Sequence, residues 1–209
     1  MARTSLMRKA GAIALLMLGT SLSASAQRAA ELGPNFLQHS AISPDGSTIL
    51  FSFHGDIYKV PADGGTAVPL TVNAAWEGHP VWSHDGKQIA FASDRNGNLD
   101  VYVMPAGGGD AKRLTFHSAN DIPSDFSASG DKVVFSSGRG KSAATAQFPI
   151  SRLPELYEVK VAGGTPTQLS TTGAMDAVWS EDGTQLLYRE EKSYESANRK
   201  HDRSAFTRD

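Results

Sequence analysis

There is no cysteine anywhere in the 209 residues. That excludes disulfides, a thiol nucleophile, thiolate metal sites and a lipid anchor on an N-terminal Cys. An excess of one charge is missing too: 20 Lys and Arg stand against 22 Asp and Glu, a formal net charge of −2. With no basic patch, nothing draws the chain electrostatically to nucleic acid. Beyond residue 26 no run is apolar enough to span a membrane. Helical spacing of apolar residues is absent from the same region, apart from a weak trace near the end. The fold must therefore stand on its core alone, and 40% hydrophobic residues with 20 Gly and 10 Pro is ordinary composition for one.

What is present begins with a three-part leader. Arg3, Arg8 and Lys9 form a positive front, "AGAIALLMLGTSL" (10–22) is a short apolar run, and "ASA" (24–26) has the small residues a signal peptidase reads. Residues 1–26 are predicted to be a secretory signal cleaved after Ala26, and the product a soluble periplasmic or secreted protein. Cleavage leaves 17 basic and 22 acidic residues in 27–209.

Self-comparison then finds a repeat. "HSAISPDGSTILFSFHGDIYKVPADGGTAVPLT" (39–71), "HPVWSHDGKQIAFASDRNGNLDVYVMPAGGGDAKRLT" (79–115), "IPSDFSASGDKVVFSS" with "PELYEVKVAGGTPTQLS" (122–170) and "DAVWSEDGTQLLYRE" (176–190) align on Gly46, Gly86, Gly130 and Gly183. The periods are 40, 44 and 53, the last stretched by the insertion "GRGKSAATAQFPISRLP" (138–154). Each unit reads as a short strand, a tight turn closed by glycine (Asp-Gly in three of the four), an alternating run, a hairpin, a second run, a Gly-rich turn and a last strand. In the second unit Ile89 and Phe91 share one face, and Val101 and Val103 alternate against Tyr102. Four antiparallel strands every 40-odd residues are the signature of a β-propeller blade. The predicted fold is all-β, a partial β-propeller of about three and a half four-stranded blades at 36–72, 77–116, 120–171 and, incomplete, 174–209. In the fourth, only a polar stretch follows Glu190, with no third or fourth strand expected.

These residues carry a resemblance. The first two units resemble the WD-like repeats of TolB and of tricorn-type peptidases, and "GDIYKVPADGG" is similar to the first blade of secreted tricorn-like serine peptidases. "EEKSYESANRKHDRSAFTRD" (190–209) is similar to the segment that links the second and third strands of a blade in that group. The resemblance spans residues 36–209 and implies the N-terminal propeller portion of an exported tricorn-like serine peptidase. It implies a catalytic serine in a later domain, further blades downstream, unfolded peptides as substrates, and a parent enzyme that can form homo-oligomers. None of the family's catalytic residues maps onto this chain. A TolB-like protein-binding propeller without catalysis and the propeller of a prolyl-oligopeptidase-like hydrolase are the alternatives; the sequence beyond Asp209 discriminates among the three.

The search for chemistry yields little. "SDRNGNLD" (93–100) sets Asp94, Asn96, Asn98 and Asp100 at every second position, as in half a calcium loop. Such a loop needs Gly sixth and Glu twelfth, whereas counting from Asp94 the fourth residue is Gly97 and the twelfth Pro105. Asn96-Gly97 between alternating runs instead predicts a hairpin with positive φ at both, its backbone bonded by Asp94 and Asp100. No G-x-S-x-G elbow and no phosphate-cradling loop occur. Trp76, Trp82 and Trp179 read as core between blades. No catalytic, cofactor or metal residue is assigned. The candidates for substrate or domain contact are His39 and His79, at equivalent places before the inner strands, with Arg189, Arg199, Lys200, His201 and Arg203 of the charged closing stretch.

Overall fold

Each pass of the repeat folds into one antiparallel sheet, because its runs are short, alternate in polarity and are separated by turns that only a hairpin satisfies. A computed structural model describes residues 37–139, 153–171 and 173–190, and the backbone of 203–207. The leader at 1–26 and residues 140–152 of the long insertion lie outside the described residues. Blade one is β1 (Gln38–Ile42), β2 (Thr48–Phe53), β3 (Asp56–Pro61) and β4 (Val68–Pro69). Blade two is β5 (Glu77–Trp82), β6 (Gln88–Ser93), β7 (Asp100–Pro105) and β8 (Lys112–Arg113). Blade three is β9 (Asp121–Phe126), β10 (Lys132–Ser137), β11 (Glu155–Lys160) and β12 (Thr167–Gln168). Blade four is β13 (Ala174–Trp179), β14 (Gln185–Glu190) and β15 (Arg203–Thr207). In every sheet the strands pair in chain order, and the first strands pack on one another from blade to blade.

The last strand corrects an expectation. β15 is a third strand, paired with β14 from Gln185↔Thr207 to Arg189↔Arg203. Its two apolar residues, Ala205 and Phe206, are adjacent and follow a charged run, so no alternation announces the strand; Phe206 pairs opposite Leu186.

Strand alternation here serves two cores at once. Tyr102 and Met104 join Ile89 and Phe91 against Leu50 and Ile57 of blade one, whereas Val101 and Val103 join Ala90 against Phe126, Val133, Phe135 and Val159 of blade three. A third cluster sets Val134 and Leu156 of blade three against Ala177, Trp179 and Leu186 of blade four. So β7 is buried on both faces. Sheets covered on both sides are the rule in a propeller, where each blade is the wall of two cores. Asp125 adds a polar tie: it accepts from the Trp179 amide of blade four at 2.8 Å and lies 3.3 Å from His84 Nε2 of blade two. Burial holds its carboxyl above the usual range.

Hydroxyls finish the outer hairpins of the first three blades. The fourth strands pair over only two residues, and the next open amide of the third strand bonds a side chain instead. Ile57 N donates to Thr71 Oγ1 at 2.9 Å, Val101 N to Thr115 Oγ1 at 2.9 Å, and Leu156 N to Ser170 Oγ at 3.0 Å. Thr115→Val keeps the shape and strands the Val101 amide, so a loss of about 1–3 kcal/mol is expected in urea unfolding. A loss within error would mean that another acceptor replaces the hydroxyl.

The Asp-Gly turns behave as expected and lie at the far ends of the first strands from His39 and His79. Ser83 Oγ donates to Asp85 at 2.7 Å and accepts from Gln88 N at 2.9 Å, and Ser43 and Ser180 repeat the pattern. The Ser43 hydroxyl first, then the Ser47 amide, hold the Asp45 carboxyl down at about 2.

Candidate functional site

The site lies at the starts of the first strands and is built from a backbone irregularity. Between Gln38 and Ala41, Gly78 and Val81, and Met175 and Val178, the inner strand carries one residue more than its partner. The bulged residue takes the left-handed conformation: His39 at φ 50°, His79 at φ 52° and Asp176 at φ 52°. A bulge re-aims its side chain, and a non-glycine residue held there is strained. In blade three the equivalent residue is Pro123, whose ring holds φ negative. Accordingly Pro123 pairs in register with Phe135, and the extra residue is Ser124.

Re-aimed in this way, His39 and His79 meet. Their ring centroids are 3.6 Å apart with planes tilted by 35°. Trp76 stands edge-on to both, at 5.8 and 6.0 Å. Its ring lies where a Cβ on Gly78 would fall, so the indole depends on glycine there. Trp76 is therefore a rim residue and not core between blades; Trp82 and Trp179 do pack in the inter-blade clusters. Burial first, then the charge of His39, holds His79 down at about 4, against an opposing pull from Asp176. Burial also lowers His39, whose Nδ1 has no hydrogen-bond partner among the described residues. Both imidazoles are thus neutral near neutral pH and present an aromatic surface beside an exposed carboxylate. Arg189 reaches Asp176 at 2.9 Å and also touches Met175 Sδ.

Of the seven candidate residues, the structure joins three. His39 and His79 stack, and Arg189 is tied through Asp176 to the same rim. Arg203 sits on β15 opposite Arg189. Arg199, Lys200 and His201 lie outside the described residues. Asp176 was missed, although the repeat frame contains its signal: "HSAIS", "HPVWS", "PSDFS" and "DAVWS" begin on His39, His79, Pro123 and Asp176.

The "SDRNGNLD" loop is a turn, but not the one expected. Gly97 alone has positive φ, and its amide bonds the Asp94 carbonyl at 2.9 Å. The two-residue hairpin with both φ positive is His54-Gly55 of blade one. The two carboxylates, however, bond elsewhere. Asp94 accepts from the Trp76 amide at 2.7 Å and anchors the rim, while buried Asp100 accepts from Arg113 at 2.6 Å. Arg95 of the same loop pairs with buried Glu77 and lies over the rings of Phe91 and Tyr102. Blade three repeats this with Arg139, Asp121, Phe135 and Tyr157. Among the described residues no three His, Cys, Asp or Glu side chains gather as a metal would require.

The family model for the tricorn protease N-terminal beta propeller domain matches residues 34–205, a span that holds the first three blades, the histidine rim and the fourth blade up to Ala205. The chain belongs to the tricorn N-terminal propeller family. Three solved structures share the fold of this tricorn-type propeller. TolB from Acinetobacter baumannii superposes with a TM-score of 0.63 at 22% identity, over 82% of this chain and 41% of that one. The tricorn protease gives 0.59 at 22% identity, over 75% and 15%. A puromycin hydrolase mutant complexed with PGG gives 0.56 at 14% identity, over 82% and 27%. The chain thus spans less than half the length of each of these proteins. Comparison with curated proteins gives no match. Among the described residues no helix is long and apolar enough to cross a membrane.

Proposed function

We propose that this propeller is the substrate-guiding part of an exported tricorn-like serine peptidase, holding unfolded peptide at the His39–His79–Trp76 rim on its way to a catalytic domain. The match of residues 34–205 to the tricorn protease N-terminal propeller carries this reading. The rim chemistry suits it. Neutral imidazoles and an indole offer faces to apolar and aromatic side chains, while ring nitrogens and Asp176 offer polar partners to a peptide backbone. Export rests on the leader at 1–26. Cleavage belongs to residues outside this chain.

The test has two arms. A fluorescein-labelled unstructured peptide should bind the purified protein at neutral pH, and Trp76→Ala should weaken it about tenfold, equivalent to ~1.4 kcal/mol. Equal binding by both proteins would move the guiding surface elsewhere. The longest natural product should also cleave peptides and lose that activity to a serine-reactive inhibitor. A folded product that cleaves nothing would sink the peptidase reading in favour of a TolB-like binding role.

A further inference from the structure

We infer that the His39–His79 stack is a proton-operated latch between the inner strands of blades one and two, closed when both rings are neutral and opened by acid. This goes beyond substrate guiding, because it concerns how the rim changes state whatever passes it.

The geometry allows little else on protonation. Centroids 3.6 Å apart leave no room for water between the rings, so two imidazolium charges there would face each other unscreened. The side of the stack away from solvent gives no relief, since His39 Nδ1 is buried without a hydrogen-bond partner among the described residues. Both residues sit at strained bulges, places where a strand can rearrange locally without unzipping its ladder. Trp76 packs edge-on to both rings and would feel any separation.

The charged groups around the stack set its direction. From β13, Asp176 favours protonated His79, and from β14, Arg189 pairs with Asp176 at 2.9 Å. On β5 itself Glu77 is committed to Arg95, and on β9 Asp121 is committed to Arg139 and Asp125 to His84 and the Trp179 amide. The closed rim thus binds protons more weakly than free histidine. It is complete above 6.5, weakens as pH falls below that, and is lost through about 4.

Intrinsic fluorescence of the whole protein, with far-UV circular dichroism alongside, tests the latch. As pH falls from 6.5 through about 4, indole emission should change reversibly while the β signal persists. Trp76→Phe should remove most of the change, because Trp76 is the indole in ring contact with both histidines, whereas Trp82 and Trp179 pack at the inter-blade clusters. His79→Asn should abolish it as well, and asparagine tolerates the left-handed backbone. Asp176→Asn, at an exposed position, should leave the fold intact and move the midpoint to lower pH. An emission change that survives His79→Asn, or an Asp176→Asn midpoint that stays or rises, would overturn the latch. So would an emission change that occurs only together with loss of the β signal.

Discussion

Replacing Arg95 by methionine is expected to destabilise the protein by about 3–5 kcal/mol, the range for a buried charge left without its partner. Glu77 is fully buried, Arg95 Nε reaches its Oε1 at 2.8 Å, and its Oε2 has no hydrogen-bond partner among the described residues. The guanidinium is thus the counter-charge of that carboxylate, and Phe91 and Tyr102 hold it in place. The double change Arg95→Met with Glu77→Leu should recover most of the loss, since an apolar pair of similar volume needs no desolvation. Urea unfolding of the four proteins gives the coupling directly. If the double variant is as unstable as Arg95→Met alone, the loss comes from the arginine's packing and not from the stranded charge.

Phe135→Ala should cost a similar amount, about 3–5 kcal/mol, by a different route. Phe135 is fully buried in the core between blades two and three, stacks on Tyr157 at 5.7 Å and lies under the Arg139 guanidinium. Truncation opens a cavity and removes the platform that aims Arg139 at Asp121. In a repeat architecture such damage concentrates at the interface that carries it. Amide hydrogen exchange should therefore accelerate across β6, β9 and β10 more than across β1 and β2. Uniform acceleration through all four blades would show instead that the arc unfolds as one unit.

The parts legible in the sequence are those with short-range causes. The Asp-Gly turns, the alternating runs and the blade period each depend on residues within one hairpin, and Ser83, Asp85 and Gly86 specify their turn without help from afar. The rim is another matter. His39 and His79 are 40 positions apart in the chain, and only the packing of β1 on β5 makes them neighbours. Nothing in "HSAIS" or "HPVWS" announces a bulge, because positive φ at a histidine is imposed by the register of the sheet. Arg95 and Arg139 escaped for a similar reason: each sits in a loop that reads as solvent-exposed, and its carboxylate lies 18 residues upstream on the neighbouring strand. Alternation in β7 alone cannot say whether a second neighbour covers its other face. β15 was missed because five residues after a charged run carry too weak a pattern.

Pro123 gives the rim an uneven mobility. At His39, His79 and Asp176 the backbone holds a left-handed form from which an L residue can relax to the extended one, so these three act as joints. A pyrrolidine ring forbids that passage, and blade three behaves there as a fixed post. A rearrangement at any of the three joints therefore has no counterpart in blade three, while Asp176 and His79 stay linked past that post by charge alone.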